Sequence, residues 1–196
     1  MKNKITCDQI LERGTAMRNN NGNADILFIG LNPSFRKGDA QDYTNGYTLS
    51  QDTNDQYFKS FRDIAQKAGF SEWEHSDLIY IRGNHNEISI CESDRIGEKV
   101  IENHLKISCN IIEKSKAKII VVCDTKAREY FSKKYPLKWD DVIGTYIIND
   151  KNSELNNVPI FFSGMFSGQR ALDLGSRRRL IWHIKYAYSR RYGLYP

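Results

Sequence analysis

The segment "DILFIGLNPSF", Asp25 to Phe35, places an amide and a proline directly after a short apolar run. Pro33 fixes its own φ angle and biases Asn32 toward an extended backbone, which would hold the Asn32 carboxamide at the tip of a strand. A carboxamide there can orient a water molecule and exchange hydrogen bonds with a ligand, although it is a poor general base. Asn also closes many tight turns, so a structural role for Asn32 is the alternative.

The same turn does not fit the two common nucleotide-binding loops. A P-loop requires G-x-x-x-x-G-K-[ST], and "GLNPSFRKGDA" has neither the second glycine at that spacing nor the Lys-Ser/Thr pair. The dinucleotide-binding pattern G-x-G-x-x-G is also missing from this turn. The turn therefore favours a pocket for a base over a site for nucleotide phosphates.

Four short runs rich in Ile, Val, Leu or Phe predict strands, and helical patterns lie between them. The runs are not strictly alternating, which is typical of strands covered on both faces of a parallel sheet. A polar insertion at 139–157 contains a candidate hairpin. We predict one domain, 1–196, with an α/β fold: a three-layer α/β/α sandwich around a central, mainly parallel four-stranded sheet. The predicted strands are 25–30, 77–82, 118–123 and 158–164, and the predicted helices include 53–69, 99–117 and 125–134.

Ligands of open α/β sheets bind beyond the carboxyl ends of the strands. The histidines do not mark a site there, because His75 lies in an acidic stretch that reads as a loop and no histidine pair has metal-ligand spacing. The segments that follow the predicted strands are therefore the candidates. They are 32–36, 82–86, 124–126 and 163–170.

Composition limits the class of protein. The chain has 196 residues, 40% of them hydrophobic, and a net charge of +5, which suits a polyanionic partner. Its four cysteines are scattered without a C-x-x-C pair, so neither zinc nor an iron–sulfur cluster is indicated. No run reads as a membrane span or a signal peptide. We expect a cytoplasmic monomer that does not contact membranes.

"GLNPS" at the end of the first strand resembles the first motif of the uracil-DNA glycosylase superfamily. It is closest to the branches with Gly-x-Asn-Pro-Gly, which are the mismatch-specific and the single-strand-selective ones. "DLIYIRGN" is similar to the family's second strand, and "HLKISCNIIEKSKAKIIVVCDTKAREYF" is similar to its helix, third strand and following helix. The resemblance implies a uracil-DNA glycosylase-like fold. It also implies a DNA glycosylase that flips out uracil or another damaged or mismatched base and hydrolyses the N-glycosidic bond without metal or organic cofactor.

The resemblance breaks at the family's second motif. Most members have His-Pro-Ser or Asn-Pro-Ser followed by an apolar wedge, whereas this chain has "FFSGMFSGQRALD". Ser163 or Ser167 would stand near the family's polar position, and Met165 or Phe166 would serve as the wedge.

Base excision needs a placed water, a stacking surface and donors aimed at the anionic leaving base. Asn32 would place the water. The candidates for the other roles are Phe35, Tyr43 or Tyr47 for stacking; Arg82, Asn84 or Asn86 for reading the base edge; and Ser163, Ser167, Gln169 or Arg170 for stabilising the anion.

The C-terminal segment indicates a nucleic-acid partner. No acidic residue lies between Ser176 and Arg191, and aromatic residues are interleaved with the basic ones. Read as a helix, it would turn Leu180, Ile184 and Ala187 to the sheet and Arg177 and Lys185 outward. We expect Gln169, Arg170, Arg177 and Arg178 to contact single- or double-stranded DNA.

Two alternatives stay open. A protein of the same fold could bind a nucleic-acid base without cleaving it, which the altered second motif favours. An enzyme acting on a free nucleoside is the other alternative, and the modest net charge favours it.

Overall fold

The computed structural model describes residues 5–18, 22–35, 55–167 and 171–193. Its strands are β1 (Ile26–Gly30), β2 (Trp73–Asp77), β3 (Ile119–Cys123), β4 (Leu137–Asp140), β5 (Thr145–Ile148) and β6 (Pro159–Ser163). Its helices are α1 (Cys7–Leu11), α2 (Gln56–Ala68), α3 (His85–Glu92), α4 (Arg95–Lys114), α5 (Thr125–Lys134) and α6 (Leu174–Tyr192).

The predicted α/β fold is confirmed, but the predicted four-stranded sheet is wrong. The described strands form a six-stranded mixed sheet in the order β2-β1-β3-β6-β5-β4. The first four are parallel neighbours, while β5 pairs antiparallel with β6 and β4 pairs antiparallel with β5. The extra strands, β4 and β5, form a hairpin that overlaps the 139–157 insertion, and Tyr146 and Ile147 of β5 pair with β6.

The strand predicted at 77–82 lies four residues earlier. All five residues of β2 are buried, although Glu74, His75, Ser76 and Asp77 are polar, so an apolar run could not mark this strand. The apolar residues that were read as the strand follow it. They still pair with the end of β1, since Leu78 N–H donates to the Gly30 carbonyl at 3.1 Å.

Alternate side chains of the parallel strands pack into two separate hydrophobic cores. Leu27 and Ile29 of β1 belong to a cluster with residues of α1, α3, α4 and α5, whereas Ile26 and Phe28 belong to a cluster with residues of α2 and α6. Because successive side chains of a strand point to opposite faces, these clusters lie on the two sides of the sheet. Helices therefore cover both faces of the parallel strands.

Local capping explains the helix boundaries. Asp55 caps α2, and Gly69 ends it with a φ of 96°, as a C-terminal glycine does. Helix α3 was not predicted. It begins with a capping box in which the side chains of Asn84 and Glu87 each accept the other's backbone N–H, which satisfies the donors of its first turn. No helix of the described segments is both long and apolar enough to cross a membrane.

Candidate functional site

The carboxyl ends of the four parallel strands form one edge of the sheet. Asp77 at the end of β2 pairs with Gly30 of β1, and Cys123 of β3 pairs with Ser163 of β6. Asn32 follows β1 by two residues. These residues come from four separate parts of the sequence, and the strand order brings them to the edge where ligands of such sheets bind.

The Asn32 carboxamide is held at this edge by the backbone. Its Nδ2 donates to the carbonyl oxygens of Gly83 at 2.8 Å, Ile81 at 3.1 Å and Pro33 at 3.2 Å. Because all three partners are acceptors, the nitrogen must face them and Oδ1 lies on the other side of the amide. Asn32 thus closes the turn, as the structural alternative held, while its orientation becomes fixed.

Phe35, a candidate for base stacking, packs against two guanidinium groups. Cζ of Arg13 lies 4.4 Å and Cζ of Arg82 lies 5.2 Å from the centre of the Phe35 ring. Arg13 is itself fixed by a two-pronged pair with Glu87, at 2.8 and 3.0 Å. A base that stacks on Phe35 would therefore share the ring with these cations. Arg82, the candidate for reading the base edge, is 2% exposed.

The second-motif segment contributes one polar group and one aromatic wall. The Ser163 Oγ atom is buried and has no hydrogen-bond partner within the described part of the chain. Phe166, proposed as a wedge, is buried instead against Phe28 and Phe61, at ring-centre distances of 5.9 and 5.3 Å. Met165 is half-buried and forms a bridge with Ala171. Ser167 is half-buried.

Several other candidates have capping roles or lie outside the described residues. Asn84 caps α3 by accepting the Glu87 N–H at 3.1 Å, and Asn86 is exposed in the first turn of that helix. The residues outside the described ranges are Tyr43, Tyr47, Gln169 and Arg170.

The basic face of α6 differs from its prediction at one residue. Ile184 and Ala187 are buried and Lys185 is exposed, as predicted. Arg177, however, does not point outward: its Nη2 donates to the Ser60 carbonyl of α2 at 2.8 Å. It is also 3.6 Å from the Asp63 carboxylate. The outward position was wrong because a position early in α6 lies over α2, whereas Arg178 is exposed.

A buried polar group that was not predicted lies at this edge. His75, expected in a loop, lies in β2 with its Nε2 3.3 Å from the Tyr57 hydroxyl oxygen and 3.9 Å from Asp77 Oδ1. The rings of Tyr57, Phe58 and Phe61 surround the imidazole at 5.0 to 5.7 Å. The alternation of Trp73, His75 and Asp77 was the available signal. In a strand these three residues share one face, which would be apolar at its start and polar toward its end.

Gly30 has no side chain, which leaves space for the Asp77 carboxyl and the His75 imidazole. A Cβ atom at Gly30 would lie 2.4 Å from Asp77 Oδ1 and 3.1 Å from His75 Nε2. The Asp77 carboxyl therefore occupies the space that any side chain at position 30 would need.

Burial sets the protonation of these groups. Desolvation raises the pKa of Asp77 to about 7, against the opposing charge of Arg18. Desolvation, with Arg18 adding to it, holds the pKa of His75 well below its ordinary value, so His75 is neutral at pH 7. Burial also raises the pKa of the Cys123 thiol. The edge thus holds a neutral imidazole, a neutral thiol and a carboxyl that titrates near neutrality.

Backbone strain lies at the same edge. Asp124, directly after β3, has φ 93° and ψ 141°, a conformation that residues with a Cβ rarely adopt. Its N–H donates to the Ser163 carbonyl at 3.1 Å, and its side chain caps α5. Strained residues of this kind cluster at functional sites, which agrees with the position of the other groups.

Within the described residues, no group of three or more His, Cys, Asp or Glu side chains could hold a metal ion. A comparison of the sequence with known proteins found neither a matching family model nor a matching curated protein. The function is therefore argued from the site.

Proposed function

We propose that this protein is a DNA glycosylase-like enzyme of uracil-DNA glycosylase-like fold, which binds a flipped base at the carboxyl edge of β2-β1-β3-β6. The observation that carries the proposal is the clamp on Asn32. Three carbonyl oxygens fix the amide nitrogen, so Oδ1 is held at the tip of β1 without a further cost of ordering. A fixed acceptor there can orient the water that attacks the sugar.

The surrounding residues support a pocket for a planar heterocycle. Phe166, three residues after β6, packs against Phe61 with ring centres 5.3 Å apart, and Phe35 follows Asn32 by three residues. The buried Ser163 hydroxyl has no partner within the described segments, so it can donate to a ligand. Pockets that combine apolar walls with a few fixed polar groups are typical of base recognition.

A second function is a protein that binds a base without cleaving it. The Asn32 amide nitrogen is already used for structure, and the second motif contains no histidine to stabilise the leaving base. Both observations are compatible with binding alone.

The test uses oligonucleotides that carry uracil, hypoxanthine, xanthine or a G·T pair, with alkaline cleavage to detect abasic product. We expect product with the wild type and a loss of about 10²–10³-fold in rate for Asn32→Ala. Asn32→Ala also breaks the clamp, so a control must likewise remove side-chain hydrogen bonds to the backbone. Asp94→Ala is that control, because the Asp94 side chain caps α4 by accepting from the backbone N–H groups of Ile96 and Gly97, away from the carboxyl ends of the strands.

Product that is lost in Asn32→Ala and retained in Asp94→Ala supports excision. Salt-sensitive binding of the oligonucleotide without product supports the second function. If the protein neither binds nor cleaves any of these oligonucleotides, both proposals are contradicted. An increase in its melting temperature with a free nucleoside would then support an enzyme that acts on nucleosides.

A further inference from the structure

A buried chain of polar side chains at the carboxyl edge has no role in the function proposed above. It consists of the Asp77 carboxyl, the His75 imidazole and the Tyr57 hydroxyl, with His75 Nε2 3.9 Å from Asp77 Oδ1 and 3.3 Å from the Tyr57 oxygen. The side chain of His75 is 1% exposed and that of Asp77 9%. His75 Nδ1 has no hydrogen-bond partner within the described part of the molecule. Buried polar groups of this kind are costly and usually have a purpose.

The Asp77 carboxyl lies at the end of the sheet that also carries Asn32. Asp77 Oδ1 occupies the space above Gly30, the residue two positions before Asn32. Asp77 is the last residue of β2, and its side chain is 9% exposed. The carboxyl and the clamped carboxamide therefore lie at the tips of two neighbouring strands, β2 and β1.

The surroundings of this carboxyl move its pKa to near neutral pH. Arg18, whose Nη1 donates to the His75 carbonyl at 3.2 Å, brings a positive charge from the segment before β1. Desolvation by burial outweighs that charge and raises the pKa of Asp77 to about 7. A lowered pKa leaves His75 of β2 neutral at pH 7, and raised pKa values leave Tyr80, after β2, and Cys123 of β3 neutral as well. Tyr57 of α2 faces the imidazole of His75 through its hydroxyl.

We propose that Asp77, as a neutral carboxylic acid, is the proton donor to the departing base. This inference rests on the proposed excision, and it fills the role left open because 159–170 contains no histidine. The bond between C1′ and the base nitrogen breaks with its electron pair passing to the base, which takes the Asp77 proton. Water adds its oxygen to C1′ and releases a proton, and the Asp77 carboxylate is reprotonated from solvent.

The test combines a direct titration with kinetics. Carbon-13 NMR of the Asp77 carboxyl follows its protonation without any need for catalysis. Single-turnover excision from pH 5 to pH 9 is compared for the wild type, Asp77→Asn, Asp77→Ala and the control Asp8→Asn, which changes an exposed aspartate of α1. Circular dichroism checks that each variant folds. Asparagine has the shape of the neutral acid, so it preserves the packing over Gly30.

We expect the carboxyl to titrate near pH 7 and the wild-type rate to fall above that pH. Asp77→Ala should lose about 10²–10³-fold, whereas Asp77→Asn should lose rate and also lose the alkaline decline, because its amide donates a hydrogen bond but no proton. Titration near pH 4 overturns the inference. Equal rates for the wild type and both Asp77 variants also overturn it.

If no variant and no substrate gives product, the proposed excision fails and Asp77 is judged by binding. Free uracil is then titrated by NMR at pH 6 and pH 8. Tighter binding at pH 6 in the wild type, with no pH difference in Asp77→Asn, supports Asp77 as a donor to the base. Binding that does not depend on pH, or no binding, overturns the inference.

Discussion

At the scale of the residue, substitution of Ser163 should affect the stability of the protein and its activity differently. Its buried Oγ has no partner within the described residues, so Ser163→Ala removes a polar group that is costly to bury. We expect the free energy of unfolding to stay within about 0.5 kcal/mol or to rise. If Ser163 donates to the leaving base, the excision rate falls by about 10²–10³-fold in the same variant. Urea denaturation and single-turnover kinetics measure the two effects. Unchanged kinetics would remove Ser163 from the site.

Asp77 makes stability depend on pH in a direction opposite to that of an ordinary surface aspartate. Its pKa rises from 3.8 in the unfolded chain to about 7 in the folded protein, so the folded state holds the proton more tightly. The contribution of the protonated Asp77 to the free energy of unfolding is complete below pH 4. It decreases by on the order of 4 kcal/mol as the pH rises to 7. Asp77→Asn should lack this loss.

Urea denaturation of the wild type and Asp77→Asn at each pH measures that difference. His75 acts in the other direction, because its lowered pKa costs stability as the pH falls below the unfolded value of 6.5. It contributes equally to both proteins, so the difference between them isolates Asp77. A difference that does not change between pH 4 and pH 7 would contradict the protonated carboxyl.

At the scale of the element, Asn32 joins the end of β1 to the segment after β2. Asn32→Ala leaves the carbonyls of Ile81 and Gly83 without their side-chain donor, which we expect to cost about 1–3 kcal/mol of unfolding free energy. The Gly83 N–H, which donates to the Pro33 carbonyl at 3.0 Å, should exchange faster with solvent. Hydrogen exchange compared with Asp94→Ala tests whether the effect is local. Equal protection of Gly83 in both variants would refute the clamp.

At the scale of the whole molecule, Arg177 and Arg178 should have different effects although they are neighbours. Arg178 is exposed, so Arg178→Ala should weaken binding of a single-stranded oligonucleotide and lower the slope of log affinity against log salt by about 1. Arg177 ties α6 to α2 through the Ser60 carbonyl, so Arg177→Ala should mainly reduce stability. Salt titrations and urea denaturation of both variants measure this. The reverse pattern would contradict the assignment of the outer face of α6 to DNA.

The sequence predicted the parts of the fold whose pattern is apolar, and missed those whose burial is polar. β1, β3 and β6 were recognisable because each is a run of Ile, Val or Phe. β2 was misplaced because "WEHSD" is buried without being apolar, and the same error hid His75 and Asp77. Asn32 was recognisable because it lies between an apolar run and Pro33. Its three carbonyl partners were not predictable, since two of them lie some 50 residues away in sequence.

The most direct test of the site is the binding of an oligonucleotide that carries 2′-deoxypseudouridine, whose carbon–carbon glycosidic bond cannot be hydrolysed. Amide chemical shifts would be followed by NMR as this single strand is added, with the same strand carrying thymidine as control. We predict that the shifts specific to the modified base centre on Gly30, Asn32, Leu78 and Ser163, at the carboxyl edge of the parallel strands. Specific shifts confined to α6, or none at all, would contradict a base site at this edge.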